Sequence, residues 1–385
     1  MAGLTTGALR LLEILVPSGA TAQLEQLTQS FNLNDTLLKG VLCFLLFRGS
    51  VRVSWTALRA QRWLVLWLAF AGTTAACLLT GGLVYWGLHA FGVGITVPQA
   101  MLFGALIAAT DPVAALAILS KVGLPANLET VVDGESLLND GVAVVLFTIF
   151  AGAALSGEDT GLAHAGSIFA QEVLGGAALG VFGWLVIHHL ILRTSTSCTG
   201  LLVSLGAVAC MYAGAQHLHL SGPIATVVAG LLTGNITVPH LSETTRAPIR
   251  TFWSGLDEML NALLFVFVGF HVVLINPLQD VFPGVPALVA VVAVLLARAG
   301  SVSAIVTGLD RTGMIRADRL GLTWLLTWGG LRGALSLALA VSLPDSPWKP
   351  LLLNMTFAVV VFSILVQGMT IERVFTQKRL AGLLR

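Results

Sequence analysis

Apolar and polar residues are grouped along this chain in blocks. From residue 37 onward, long apolar runs recur, separated by short polar stretches. A helix that crosses a bilayer needs about 20 mainly apolar residues. By that measure the candidate spans are 35–51, 62–88, 98–120, 128–155, 166–192, 199–217, 221–236, 250–275, 285–308, 320–343 and 350–372. The pattern predicts an all-α polytopic membrane protein of about 11 transmembrane helices, of which 35–51 and 221–236 are short. Residues 1–34 hold Arg10, Glu13 and Glu25 and form no clear span. They read as a surface helix, a degenerate span or the remnant of a longer N-terminal part. They lack the apolar stretch of a cleavable signal peptide.

Composition agrees. Of the 385 residues, 56% are hydrophobic and 10% charged, with mean hydropathy +0.90. A soluble domain carries about 25% charged residues. The net charge of +1 offers nothing to a nucleic acid. Cys43, Cys77, Cys198 and Cys210 lie in apolar runs without a CxxC pair, so they read as free, buried thiols.

Charge also orients the spans, because cytoplasmic loops are rich in Lys and Arg. One set of alternate loops holds Arg52, Arg59 and Arg62, then Lys121, Arg193, Arg246 with Arg250, and Arg311 with Arg316 and Arg319. The tail adds Lys378, Arg379 and Arg385. The other set holds Glu158, Asp159, Asp280 and Asp345, with Lys349 its one base. This places the C-terminus in the cytoplasm.

Several charges fall inside the spans, where each costs at least a few kcal/mol. In Thr110-Asp111-Pro112 the proline has no N–H, and it keeps the preceding residue out of the α region. The helix should break there and present backbone carbonyls and a helix end at membrane depth, as transporters do to bind ions. A simple proline kink beside a hydrogen-bonded Asp is the bland reading. The next span reads Asp133-Gly-Glu135-Ser136-Leu-Leu-Asn139-Asp140. Ser136 and Asp140 are four apart and share a helix face, and Glu135 sits one turn before Asn139. A structural ion-pair network is the alternative to ion binding. Counter-charges exist, since Arg298 and Arg332 are the two bases deep in apolar spans. Arg332 lies in Trp328-Gly329-Gly330-Leu331-Arg332-Gly333, whose three glycines suggest a second interrupted helix. Two broken helices of opposite direction, one per half, mark an inverted repeat.

These motifs resemble the monovalent cation:proton antiporter-1 family, that of the NhaP antiporters and the sodium/proton exchangers. The resemblance rests on Ala109 to Ala115, Gly134 to Asp140, Asn261 to Gly269 and Trp328 to Pro344, and covers about residues 35–375. It implies an inverted-repeat antiporter fold with two broken crossing helices. Core helices would lie at about 62–155 and 285–372, and dimer or scaffold helices at about 35–51 and 199–275, with a short tail at 376–385. Asp140 would carry the ion or proton. Asn139, where electrogenic relatives have a second Asp, implies electroneutral one-for-one exchange. Na+ would be held by Asp140, Asp111, Ser136 and Thr110. Glu135 would pair with Arg332, and Arg298 would neutralise the broken-helix region. No cofactor is implied beyond the transported ions. A homodimer in the plasma (inner) membrane, its core sliding against its dimer domain, is expected.

Two features depart from the family pattern. Phe47-Arg48-Gly49 replaces a stretch that carries an acid in many bacterial members, and about two N-terminal helices have no counterpart. An inactive or N-terminally truncated paralogue is therefore the alternative. An intramembrane aspartyl protease with Asp111 and Asp140 as its dyad is a remote rival, because the usual Gly-x-Gly-Asp stretch is missing.

Overall fold

The structure, a computed structural model, describes residues 41–111, 115–116, 119–156, 162–194, 196–275, 284–315 and 318–375. Among these residues all regular structure is helical. In order, α1 is Leu42–Arg52, α2 Trp55–Ala60, α3 Arg62–Ala90, α4 Val97–Leu106, α5 Ala126–Ser156 and α6 Leu162–Leu192. Then come α7 Ser197–His217, α8 Gly222–Leu232, α9 Glu243–Ile275, α10 Gly284–Arg311, α11 Arg319–Trp328, α12 Ala334–Val341 and α13 Lys349–Phe362. Counting the π-helical and 3-10 turns that extend α3, α8 and α13, seven helices among the described residues are long and apolar enough to cross a membrane.

Local chemistry explains several boundaries. Thr96 and Gln99 form a reciprocal capping box at the start of α4, with Pro98 in the first turn. Thr196 caps α7 by accepting from the Thr199 N–H. The helix α9 starts well before the expected residue 250 and contains Pro248. Proline offers no N–H to the carbonyl four residues back. That carbonyl, of Thr244, accepts instead from Ser197 Oγ at 3.1 Å.

The helices pack in two groups. The first joins α3, α4, α5 and α10 to α13. Val84, Phe103, Leu106, Val294, Leu337, Leu352 and Val359 form one of its buried clusters. The second joins α1 and α6 to α9, around Phe47, Ile187, Met211, Ala225 and Trp253. The Phe47 and Trp253 rings lie 4.9 Å apart. The helix α5 touches both groups. The cysteine expectation needs correction, because Cys43 and Cys77 are buried but Cys198 and Cys210 are exposed. The helix α7 is apolar on every side, so its sequence does not reveal which face packs.

Candidate ion-binding site

Two helices stop near the middle of the first group. The helix α4 ends at Leu106, and residues 109–111 continue without helical bonding. The helix α11 ends at Trp328, and residues 329–333 are irregular before α12 begins at Ala334. The two irregular stretches meet, and the Asp111 N–H donates to the Leu331 carbonyl at 2.7 Å.

Helix ends leave unpaired carbonyls at the C-terminus and unpaired N–H groups at the N-terminus. Each break is compensated from the other one. Arg332 Nη1 donates to the carbonyls of Ala108 and Ala109, at 2.6 and 2.9 Å, just past the C-terminal end of α4. A cation there suits the negative end of the helix dipole. The Asp111 carboxyl packs against Gly333, the N-cap of α12. A Cβ on Gly333 would lie 2.6 Å from Asp111 Oδ2, so any larger residue would displace the carboxylate. The Arg332 N–H in turn donates to Ser363 Oγ on the last helix, at 2.9 Å.

The polar face of α5 lies against this crossing. Thr110 Oγ1 and Ser136 Oγ are 2.9 Å apart, and Asn139 Nδ2 donates to Thr110 Oγ1 at 3.0 Å. Asn139 Nδ2 also donates to Glu135 Oε1 at 3.3 Å. Glu135 receives a two-pronged pair from Arg298, Nη1 to Oε1 at 2.9 Å and Nη2 to Oε2 at 3.1 Å. The same guanidinium donates to the Leu326 carbonyl in the last turn of α11. Gly330 lets it approach, since a Cβ there would lie 2.9 Å from Arg298 Nε.

Asp140 differs from its neighbours. The Thr110 backbone N–H faces its carboxyl, and Asp111, Glu135 and Arg332 are within electrostatic range. Its Oδ1 is nevertheless buried without a hydrogen-bond partner, as is Asn139 Oδ1. Such oxygens are costly inside a protein. Carboxylate, hydroxyl and amide oxygens of the kind gathered here are ligands for a hard cation.

The chain matches the family model described as sodium/hydrogen exchanger, transmembrane, over residues 17–377. It belongs to that family. Among the exchanger's relatives, the Na(+)/H(+) antiporter NhaP of Pseudomonas aeruginosa is 37% identical over 352 residues, covering 91% of this chain and 82% of the relative. The Na(+)/H(+) antiporter NhaH of Halobacillus dabanensis is 34% identical over 355 residues, covering 90% and 84%. The sodium proton antiporter MjNhaP1 of Methanocaldococcus jannaschii superposes with TM-score 0.69 at 19% identity, over 100% of both chains. That last likeness establishes the fold of the exchanger and nothing more.

In this exchanger all eight expected residues lie around the crossing, but one pairing is corrected. Glu135 pairs with Arg298 and not with Arg332. Arg298 projects from the middle of α10 toward α5, whereas the Arg332 guanidinium is turned away to the carbonyls that end α4. Ser363 went unnoticed in the sequence, because its span also holds Asn354, Thr356 and Gln367 and nothing local singles the serine out. Ser336, in the first turn of α12 with a buried and unpartnered Oγ, was missed too. Residues 1–40, Pro112 and the side chains of Asn261 and of 264–269 lie outside the described residues.

Proposed function

We propose that this chain is a secondary antiporter that exchanges Na+, or the related Li+ or K+, for H+ across a membrane. The observation that carries the reading is the buried, unpartnered carboxylate oxygen of Asp140 beside two interrupted helices. A bare carboxylate is expensive away from water. A cation or a proton relieves that cost, and both compete for the same oxygens. The loaded site crosses and the empty charged site does not, which couples the two ions without ATP. Asp140, Asp111, Ser136 and Thr110 supply the cation's ligands in this scheme. Its relatives are named as antiporters, which are transporters and not enzymes, and the protease reading gains nothing from them.

Asn139 beside Asp140 leaves one carboxylate to exchange one proton for one cation, so exchange is electroneutral. The eleven helical passes, counting each interrupted helix as one, form an inverted repeat with the C-terminus in the cytoplasm of the plasma membrane. The packing of α3 to α5 with α10 to α13 supports a moving core. The second group, which includes α6, supports a scaffold that pairs with a second copy in a dimer.

The test is proton flux in proteoliposomes on addition of Na+, Li+ or K+. The expected result is collapse of an imposed pH gradient by at least one cation, insensitive to membrane potential. Lowering the pH should raise the apparent KM for the cation, toward about tenfold per pH unit if one proton is displaced. Silence toward all three cations between pH 5.5 and 8.5 rejects the reading in favour of an inactive paralogue.

A further inference from the structure

The site leaves Asp133 without a task. It lies seven residues before Asp140 on α5. At 1.5 Å rise and 3.6 residues per turn, that places it about 10 Å along the axis on nearly the same face. Asp133 therefore lies between Asp140 and the arginine-rich end of the helix.

Two layers of contacts lie on that side of Asp140. The upper layer is Leu137, buried among Leu42, Leu46, Val53, Val227 and Leu231. Those partners come from α1, its C-cap Val53 and α8, which belong to the second helix group. The contact is tight, since a Cβ on Gly49 would lie 3.3 Å from Leu137 Cδ1. The lower layer is an ion pair, Arg52 Nη2 to Asp133 Oδ1 at 2.7 Å. Arg52 is the last residue of α1 and is tied to α8. Asn235, just beyond α8, donates to the Val53 carbonyl at 2.9 Å and accepts from the Trp55 N–H at 2.6 Å. Arg52 thus moves with the second group and Asp133 with α5.

We infer that Arg52 and Asp133, with the Leu137 layer above them, form the gate on the arginine-rich side of the exchanger. The inference rests on the exchange reading, which requires Asp140 to be reached from each side in turn. The apolar layer excludes ions while the gate is shut. The charge pair holds the two groups together at that end and must separate once per cycle. The Arg52 side chain is 44% exposed, so water can replace its bond to Asp133 when the pair parts. Arg52 also occupies the carboxylate that a cation leaving Asp140 would meet next.

The gate is tested by tethering it. In reconstituted protein with Cys198→Ser and Cys210→Ser, Arg52→Cys and Asp133→Cys are joined by a short, reducible bis-methanethiosulfonate linker. Joining is expected to slow Na+-driven proton flux at least tenfold relative to the same protein before the reagent, reducing agent to restore it, and each singly substituted protein to show the same flux after the reagent as before it. Separately, Arg52→Gln and Asp133→Asn should each shift the apparent KM for the cation a few-fold, more than they change maximal flux. The exchanged pair Arg52→Asp with Asp133→Arg should return KM toward the starting value. If the tethered protein exchanges as fast as the untethered one, or the exchanged pair is worse than either single variant, the gate is refuted and exchange stands. If unsubstituted protein shows no flux with any cation, the exchange reading fails and the gate falls with it.

Discussion

Glu135 and Asp140 lie five residues apart on α5, both are carboxylates inside an apolar span, and their surroundings are opposite. Glu135 is 2% exposed, and Arg298 and Asn139 bond both its oxygens. Arg298 Nε and Nη2 also donate to the Leu326 carbonyl. Asp140 keeps a buried oxygen with no partner. A carboxylate whose oxygens are paired gains nothing by taking up an ion, whereas a starved one does. Burial therefore does not separate a structural charge from a carrier. The inventory of partners does.

Asp140 should show the largest effect. Asp140→Asn should abolish cation-driven proton flux by at least about 100-fold, equivalent to about 2.7 kcal/mol, and leave the thermal unfolding temperature in detergent nearly unchanged. An active Asp140→Asn variant would reverse the two roles. Next is Arg298→Met, which strands Glu135 as a buried charge at a cost of about 3–5 kcal/mol. Denaturation should show that loss, and adding Glu135→Leu should recover most of it. A cost below about 1 kcal/mol would mean that Glu135 has another partner. Ser363→Ala removes the acceptor of a buried N–H and should cost about 1–3 kcal/mol, read as a lower unfolding temperature. The smallest effect is expected for Ser136→Ala. It removes one hydroxyl, about 0.5–1.5 kcal/mol, and should raise the KM for Na+ several-fold with little change in maximal flux.

Much of the fold was legible because a bilayer demands long apolar runs. From residue 62 on, every such run contains a helix in the structure. The boundaries of α9 were less legible, because the Ser197 hydroxyl that compensates Pro248 comes from another helix. In the site, the polar set on α5 was visible as a pattern, and the i to i+4 contact of Glu135 with Asn139 follows from helical spacing alone. The partner of Glu135 was not visible. Arg298 and Arg332 look alike in sequence, each one base in an apolar span, and choosing between them required their directions in space.

The order of residues alone sets the helical class, the polar groups taken into the apolar interior and the neighbours that a single helix brings together. Helical geometry is local, so a residue's company three or four positions away is set by its own chain. Packing in three dimensions is what brings Arg298 to Glu135 across 163 positions, Arg332 to the carbonyls just past α4, and Arg52 to Asp133. Those pairings depend on how helices far apart in sequence pack and which way each side chain leaves its axis, which no local spacing encodes.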